Sequence, residues 1–279
     1  MALLQIFYHS DVLELNTQIN VVFPDSLLFK HSNISQARVV YMLHGTGGDC
    51  SEWLRFTSIE RYAQERDFIL IFPSCARSAY SDQKSGFPYW TYLTEELPQF
   101  CQSMFHLPTS RARTFVAGLS MGGYGALKWG LTKPNQIKAI AALSSGIDRI
   151  SICTLNGEKT ISQASEQELM HYRTNQKFPW GERVCYEFEH NWKDIPTYNK
   201  EGNNLFLLSS NLTIEQKKEL PNIYIAVGTE DPNYADHCKL RKHFDHEQIS
   251  YVYNEEAGSH TWSFFDKYIE KAFNYFYSL

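Results

Sequence analysis

Apolar residues along this chain fall into short continuous runs separated by polar turns. Gln18 to Phe23, Ala37 to Leu43, Phe68 to Phe72, Thr114 to Ala117, Ile137 to Leu143, Asn222 to Val227 and Ser250 to Tyr253 all read as strands. Runs of four to seven apolar residues without alternation suit strands buried on both faces, as in a parallel sheet. Helical spacing takes over between them. Thr57-Ser-Ile-Glu60 has the form of a capping box opening a helix through about Arg66. Glu95 to Phe105 reads as a helix starting near Pro98. Near the end, Trp262, Phe265, Ile269, Ala272, Phe273 and Phe276 form an apolar stripe at helical period. Strands alternating with helices predict an α/β fold: a mostly parallel central sheet with helices on both faces.

Asp148 to Leu220 breaks the alternation. It is polar and poor in strand signals, and is read as an excursion that returns to the same core and partly covers the strand ends. Residues 1–279 then form a single domain with 148–220 inserted, a length sufficient for one large α/β core.

The most informative local feature is Gly118-Leu-Ser120-Met-Gly122, between an apolar strand and a glycine-rich helix start. This fits the G-x-S-x-G nucleophile elbow, in which a strained strand-to-helix turn projects a serine hydroxyl. A phosphate-holding turn would need a lysine near the helix start, and Lys128 comes two turns later. A serine nucleophile requires a base, and the base an orienting group. His260, in Gly258-Ser-His-Thr-Trp262, is chosen as the base. His237, His243 and His246 lie in a charged helical stretch and are expected to face solvent, without a companion ligand set for a metal. Asp231 follows a strong strand and is the expected orienting acid; Glu230, Asp236 and Asp148 stay open as alternatives. An oxyanion hole needs two converging N–H groups. Met121, directly after the serine, and Thr46, in the glycine-rich loop His44-Gly-Thr-Gly-Gly48, are the expected donors, with His44 bracing that loop. Trp53, Phe87, Tyr89, Trp90 and Trp180 are candidates for the substrate pocket wall, with core packing the competing use of each ring.

Composition narrows the class. A net charge of −5 without a basic block makes nucleic acid and anionic membranes unexpected partners. No apolar run approaches a membrane span, and the first residues lack the pattern of a signal peptide. Six scattered cysteines without C-x-x-C pairing suggest free thiols in a reducing cytoplasm and no metal site. A homo-oligomer is compatible with all of this.

With these residues assembled, the chain resembles the esterase D-like branch of the α/β-hydrolases, best the bacterial tributyrin esterase group. That group is related to feruloyl and acetyl esterases and to S-formylglutathione hydrolase. The resemblance rests on Leu43-His-Gly-Thr-Gly-Gly48 with Trp53, Phe87-Pro-Tyr-Trp-Thr with Glu95-Glu-Leu-Pro98, Ala117-Gly-Leu-Ser-Met-Gly-Gly-Tyr-Gly125, Gly228-Thr-Glu-Asp231 and Gly258-Ser-His-Thr-Trp262. It implies Ser120, Asp231 and His260 as a triad, Thr46 and Met121 as oxyanion donors, and no cofactor. The expected activity is hydrolysis of short-chain, or aromatic, acyl esters. A thioesterase of the S-formylglutathione type, an acyltransferase and an inactive binding module are the alternatives. Segment 148–220 shares only weak features such as Phe178-Pro-Trp-Gly181, which leaves the natural substrate open.

Overall fold

A computed structural model describes residues 1–29, 34–155, 157–174 and 183–279. Trp180 and the Phe178-Pro-Trp-Gly181 stretch lie outside them. Eight strands form one sheet: β1 (Ala2–Ser10), β2 (Leu15–Phe23), β3 (Arg38–Leu43), β4 (Phe68–Pro73), β5 (Thr114–Leu119), β6 (Ala139–Leu143), β7 (Asn222–Gly228) and β8 (Val252–Glu256). Their order is β1-β2-β4-β3-β5-β6-β7-β8. The pairings from β4 through β8 are parallel, while β1 and β2 add an antiparallel edge.

Because β3 to β6 are apolar at successive positions, each feeds both faces of the sheet. Val39, Tyr41 and Leu43 enter one core, and Val40 and Met42 the other. The final helix, Trp262–Tyr277, packs its stripe on the second core, with Phe264 and Tyr268 added to the residues expected there. The helix Met121–Thr132 is buried nearly all round and runs through the first.

Strand order also places the functional edge. After β3 the chain adds β4 on one side, then returns to lay β5 on the other, so Leu43 pairs with Gly118. The loops leaving β3 and β5 are therefore neighbours at a switch point, where open α/β sheets bind ligands. β7 and β8 continue outward, and their following loops open on that same edge.

Four local expectations are corrected. Strand β1 was not foreseen, although its exposure alternates: Leu3 and Phe7 face out while Leu4, Ile6 and Tyr8 pack on the core. The Thr57–Glu60 capping box does not form. Thr57 Oγ1 instead donates to the Trp53 carbonyl at 2.5 Å, and the helix starts later, spanning Ile59–Gln64. The helix expected from Glu95 begins at Tyr89, behind Pro88. Asp82 accepts the Thr91 N–H at 2.9 Å near its start. A π turn at Tyr92–Glu96 leads into Leu97–Phe105, so Pro98 enters where the regular ladder is already interrupted. The last strand runs Val252–Glu256, two residues beyond the expected start. Within 148–220 the described residues are mainly helical, including Arg149–Cys153 and Arg183–Trp192.

Candidate active site

Ser120 sits at φ 53°, ψ −114°, a conformation that a side chain adopts only under constraint. Its N–H donates to the Leu143 carbonyl at 2.8 Å and its carbonyl accepts from Tyr124 N–H at 3.2 Å, so both ends of the turn are tied. The flanking glycines are sterically required. A Cβ on Gly118 would lie 2.3 Å from the Gly122 backbone, and one on Gly122 would lie 2.3 Å from the Leu43 carbonyl oxygen. Met121 opens the helix Met121–Thr132, whose first N–H groups have no intrahelical acceptor.

His260 Nδ1 lies 2.9 Å from Asp231 Oδ2. The Asp231 carboxylate is fully buried, and its other oxygen accepts the Asn233 N–H at 2.8 Å. With Asp231 an acceptor, the imidazole proton belongs on Nδ1, which leaves Nε2 free to act as a base. Phe265 packs edge-on against the ring at 5.1 Å. Glu230, the neighbouring alternative, is exposed and turns the other way, accepting the Gly258 N–H and so clamping the histidine loop from outside. Asp148 and Asp236 are engaged elsewhere: Asp148 with Lys239 at 2.9 Å, Asp236 with the N–H groups of Ile147 and Asp148.

The β3 loop is braced as its histidine suggested. His44 is buried, with Nδ1 at 2.8 Å from the Gly45 carbonyl and Nε2 accepting the Cys75 N–H at 2.9 Å. Burial holds its pKa below the ordinary value, so the ring is neutral and braces rather than titrates. Tyr80 donates to the His44 carbonyl at 2.8 Å, and Trp53 Nε1 to the Leu43 carbonyl at 3.1 Å. Gly45 N–H is taken by Glu52 Oε1 at 2.5 Å. Thr46 N–H, by contrast, makes no hydrogen bond among the described residues.

These groups meet in a cleft of about 220 Å³ lined by Gly45, Thr46, Glu52, Leu119, Ser120, Gly146, Arg149, Ile152, Val184, Asn233, His260, Trp262 and Phe265. A larger hollow of about 390 Å³, beside Glu95 and Trp129, contains no nucleophile–base pair. Of the expected pocket aromatics, none described lines the cleft. Trp53 is buried against Trp262, with ring centroids 5.7 Å apart. Trp90 lies under the Lys128 ammonium at 4.3 Å. Tyr89 is buried beside Tyr92, and Phe87 is exposed. Trp180 is among the residues not described.

The histidine expectation also needs correction. His237 is wholly buried, accepting the Ser145 N–H through Nε2 at 2.7 Å, and burial pushes its pKa down to about 4. His243 is half-buried against Ser209 at 2.8 Å, and only His246 faces solvent as expected. The described residues contain no group of three or more His, Cys, Asp or Glu placed to hold a metal.

Several cleft residues were not singled out from sequence. Glu52 is the most consequential: burial pushes its carboxyl up to about 7, against the lowering effect of the Gly45 N–H. Its one sequence signal was adjacency to Trp53, which the loop motif already included. Arg149, Ile152 and Val184 come from the excursion, on helices that place them in the lining of the same cleft as Ser120. The excursion thus supplies part of the wall.

Comparison with known proteins identifies the family and the fold. Residues 10–276 match the esterase family, described as "Putative esterase". An acetyl esterase of Caldicellulosiruptor saccharolyticus is 30% identical over 280 residues, covering 99% of this chain and 98% of the relative. Among solved structures, the fluorophosphonate-binding serine hydrolase FphF of Staphylococcus aureus superposes with a TM-score of 0.81 at 22% identity, covering 99% and 98% of the two chains. The S-formylglutathione hydrolase FrmB of the same organism gives 0.74 at 22% identity, with the same coverage.

Proposed function

The chain belongs to the esterase family and is a serine carboxylic ester hydrolase, and from that premise we propose that it cleaves short-chain acyl esters through Ser120, His260 and Asp231. In this reading the Ser120 hydroxyl attacks the ester carbonyl while His260 Nε2 takes its proton. Asp231 holds the tautomer and stabilises the imidazolium. The oxyanion is received by the N–H groups of Met121 and Thr46, each contributing about 2.7–4 kcal/mol of transition-state stabilisation. The same imidazole then protonates the leaving alcohol and activates water to release the acyl group. No cofactor enters these steps.

The observation that carries this reading is the 2.9 Å contact between His260 Nδ1 and a buried Asp231, beside a conformationally constrained serine in one cleft. Cleft size supports a small acyl group. At about 220 Å³ it falls below the usual range for drug-sized ligands, and Leu119, Ile152, Val184 and Phe265 give it apolar walls. The test is hydrolysis of p-nitrophenyl esters from acetate to octanoate by wild type and by Ser120→Ala. Turnover peaking at short chains and abolished in the variant is expected. Unchanged turnover in the variant would remove Ser120 from the mechanism.

A further inference from the structure

Arg149 is a cation in the ester cleft with no carboxylate paired to it among the described residues. Its guanidinium carbon lies 4.9 Å from the centroid of the Tyr124 ring, a cation–π contact. Nε and Nη2 are buried without a hydrogen-bond partner, on a side chain that lines the cleft. The described carboxylates around it are committed elsewhere. Asp148 holds Lys239, Asp236 holds two backbone N–H groups, and Glu187 binds Arg77 and Arg183. The adjacent Cys153 thiol is pushed by burial to about 12, so it supplies no thiolate. Glu52, the cleft's other carboxyl, is held on the β3 loop by Gly45 N–H.

A buried charge normally has a partner, because removing donors from water without replacing their hydrogen bonds is costly. Here the missing acceptor would come from the cleft that Arg149 lines. Resting on the esterase reading above, we infer that Arg149 is an anion-recognition residue and that the preferred ester carries a carboxylate near its scissile bond. One guanidinium balances one carboxylate. A phosphate brings close to two negative charges into a cleft that also holds Glu52, which makes it the poorer match.

The carboxylate could sit on the acyl or the alcohol side, and two substrate pairs separate these. Mono(4-nitrophenyl) glutarate is compared with 4-nitrophenyl pentanoate, and 4-acetoxybenzoate with its methyl ester. In wild type at low salt, kcat/KM for the charged member of one pair exceeds that of its neutral partner. In Arg149→Met that charged-to-neutral ratio falls by about tenfold or more, the scale of one charge-assisted hydrogen bond. Arg149→Lys, which keeps the charge but loses the planar fork, retains part of the ratio and guards against a folding defect in the methionine variant. The pair that responds identifies the side. Ratios equal in wild type and both variants for both pairs would overturn the inference. Loss of Ser120 dependence on the neutral esters would instead overturn the esterase reading.

Discussion

The cleft has two walls built on different principles. The wall from the sheet edge (residues 44–53, 118–122, 231 and 260) is tied by backbone hydrogen bonds: His44 to Cys75, Glu52 to Gly45, Ser120 to Leu143, Asp231 to Asn233. The wall from the excursion, Arg149, Ile152 and Val184, rides on two helices, with Ile152 and Val184 packed into the core, and leaves two guanidinium nitrogens without a partner among the described residues. The first wall fixes reacting atoms to the fraction of an ångström that catalysis requires. The second touches the variable part of a substrate, where apolar fit and one charge select among esters. Damage to the first should abolish chemistry for every substrate; damage to the second should redistribute activity among substrates.

The largest effects belong to the first wall. Ser120→Ala should lower kcat on p-nitrophenyl butyrate by about 10⁴–10⁶ with an unchanged circular dichroism spectrum. Asp231→Asn should cost about 10⁴ by holding the wrong imidazole tautomer. Glu230→Gln, one residue away on the outer face, should cost under about tenfold; near-equal losses in the two variants would break the assignment. Gly122→Ala should destabilise the fold by about 2 kcal/mol or more, since its Cβ meets backbone rather than a movable side chain. Urea unfolding measures this.

Glu52 offers a smaller and pH-dependent effect. Its folded-state pKa, about 7, lies above the ordinary 4.5, so the native state holds the proton more tightly than the unfolded chain. Stability from this group is full below about pH 4.5 and is lost as pH rises through 7. Glu52→Gln keeps an oxygen for the Gly45 N–H and removes the titration. It should therefore be more stable than wild type at pH 8, by about 1–3 kcal/mol, with little difference at pH 4.5. On the second wall, Ile152→Ala should shift the preferred acyl chain by about one or two carbons toward longer esters, read from the same p-nitrophenyl series.

What sequence revealed follows the same division. Gly118, Ser120 and Gly122 were legible because the turn's backbone tolerates little else, and each close approach appears in space. Asp231 was legible as an acid just beyond an apolar strand, and His260 as the histidine in a Gly-Ser turn ahead of the last helix. Asp231 was chosen over Glu230 from its strand position and the resemblance; in space both contact the histidine loop, Asp231 through His260 and Glu230 through Gly258. For Trp53, Tyr89 and Trp90 the sequence left pocket wall and core packing open, because a large ring fills either, and among the described residues they do not line the cleft. Glu52 and Arg149 were invisible because their interest lies in burial and missing partners, which have no one-dimensional pattern. His237 was misplaced for the converse reason: a charged helix still turns one face inward, and residue 237 lies on it.

The most direct test of the central claim is labelling by an alkyl fluorophosphonate followed by intact and peptide mass spectrometry. One adduct per chain, on Ser120 and absent in Ser120→Ala and strongly slowed in His260→Ala, is the expected result. Labelling at another residue, or none on folded protein, would contradict the account.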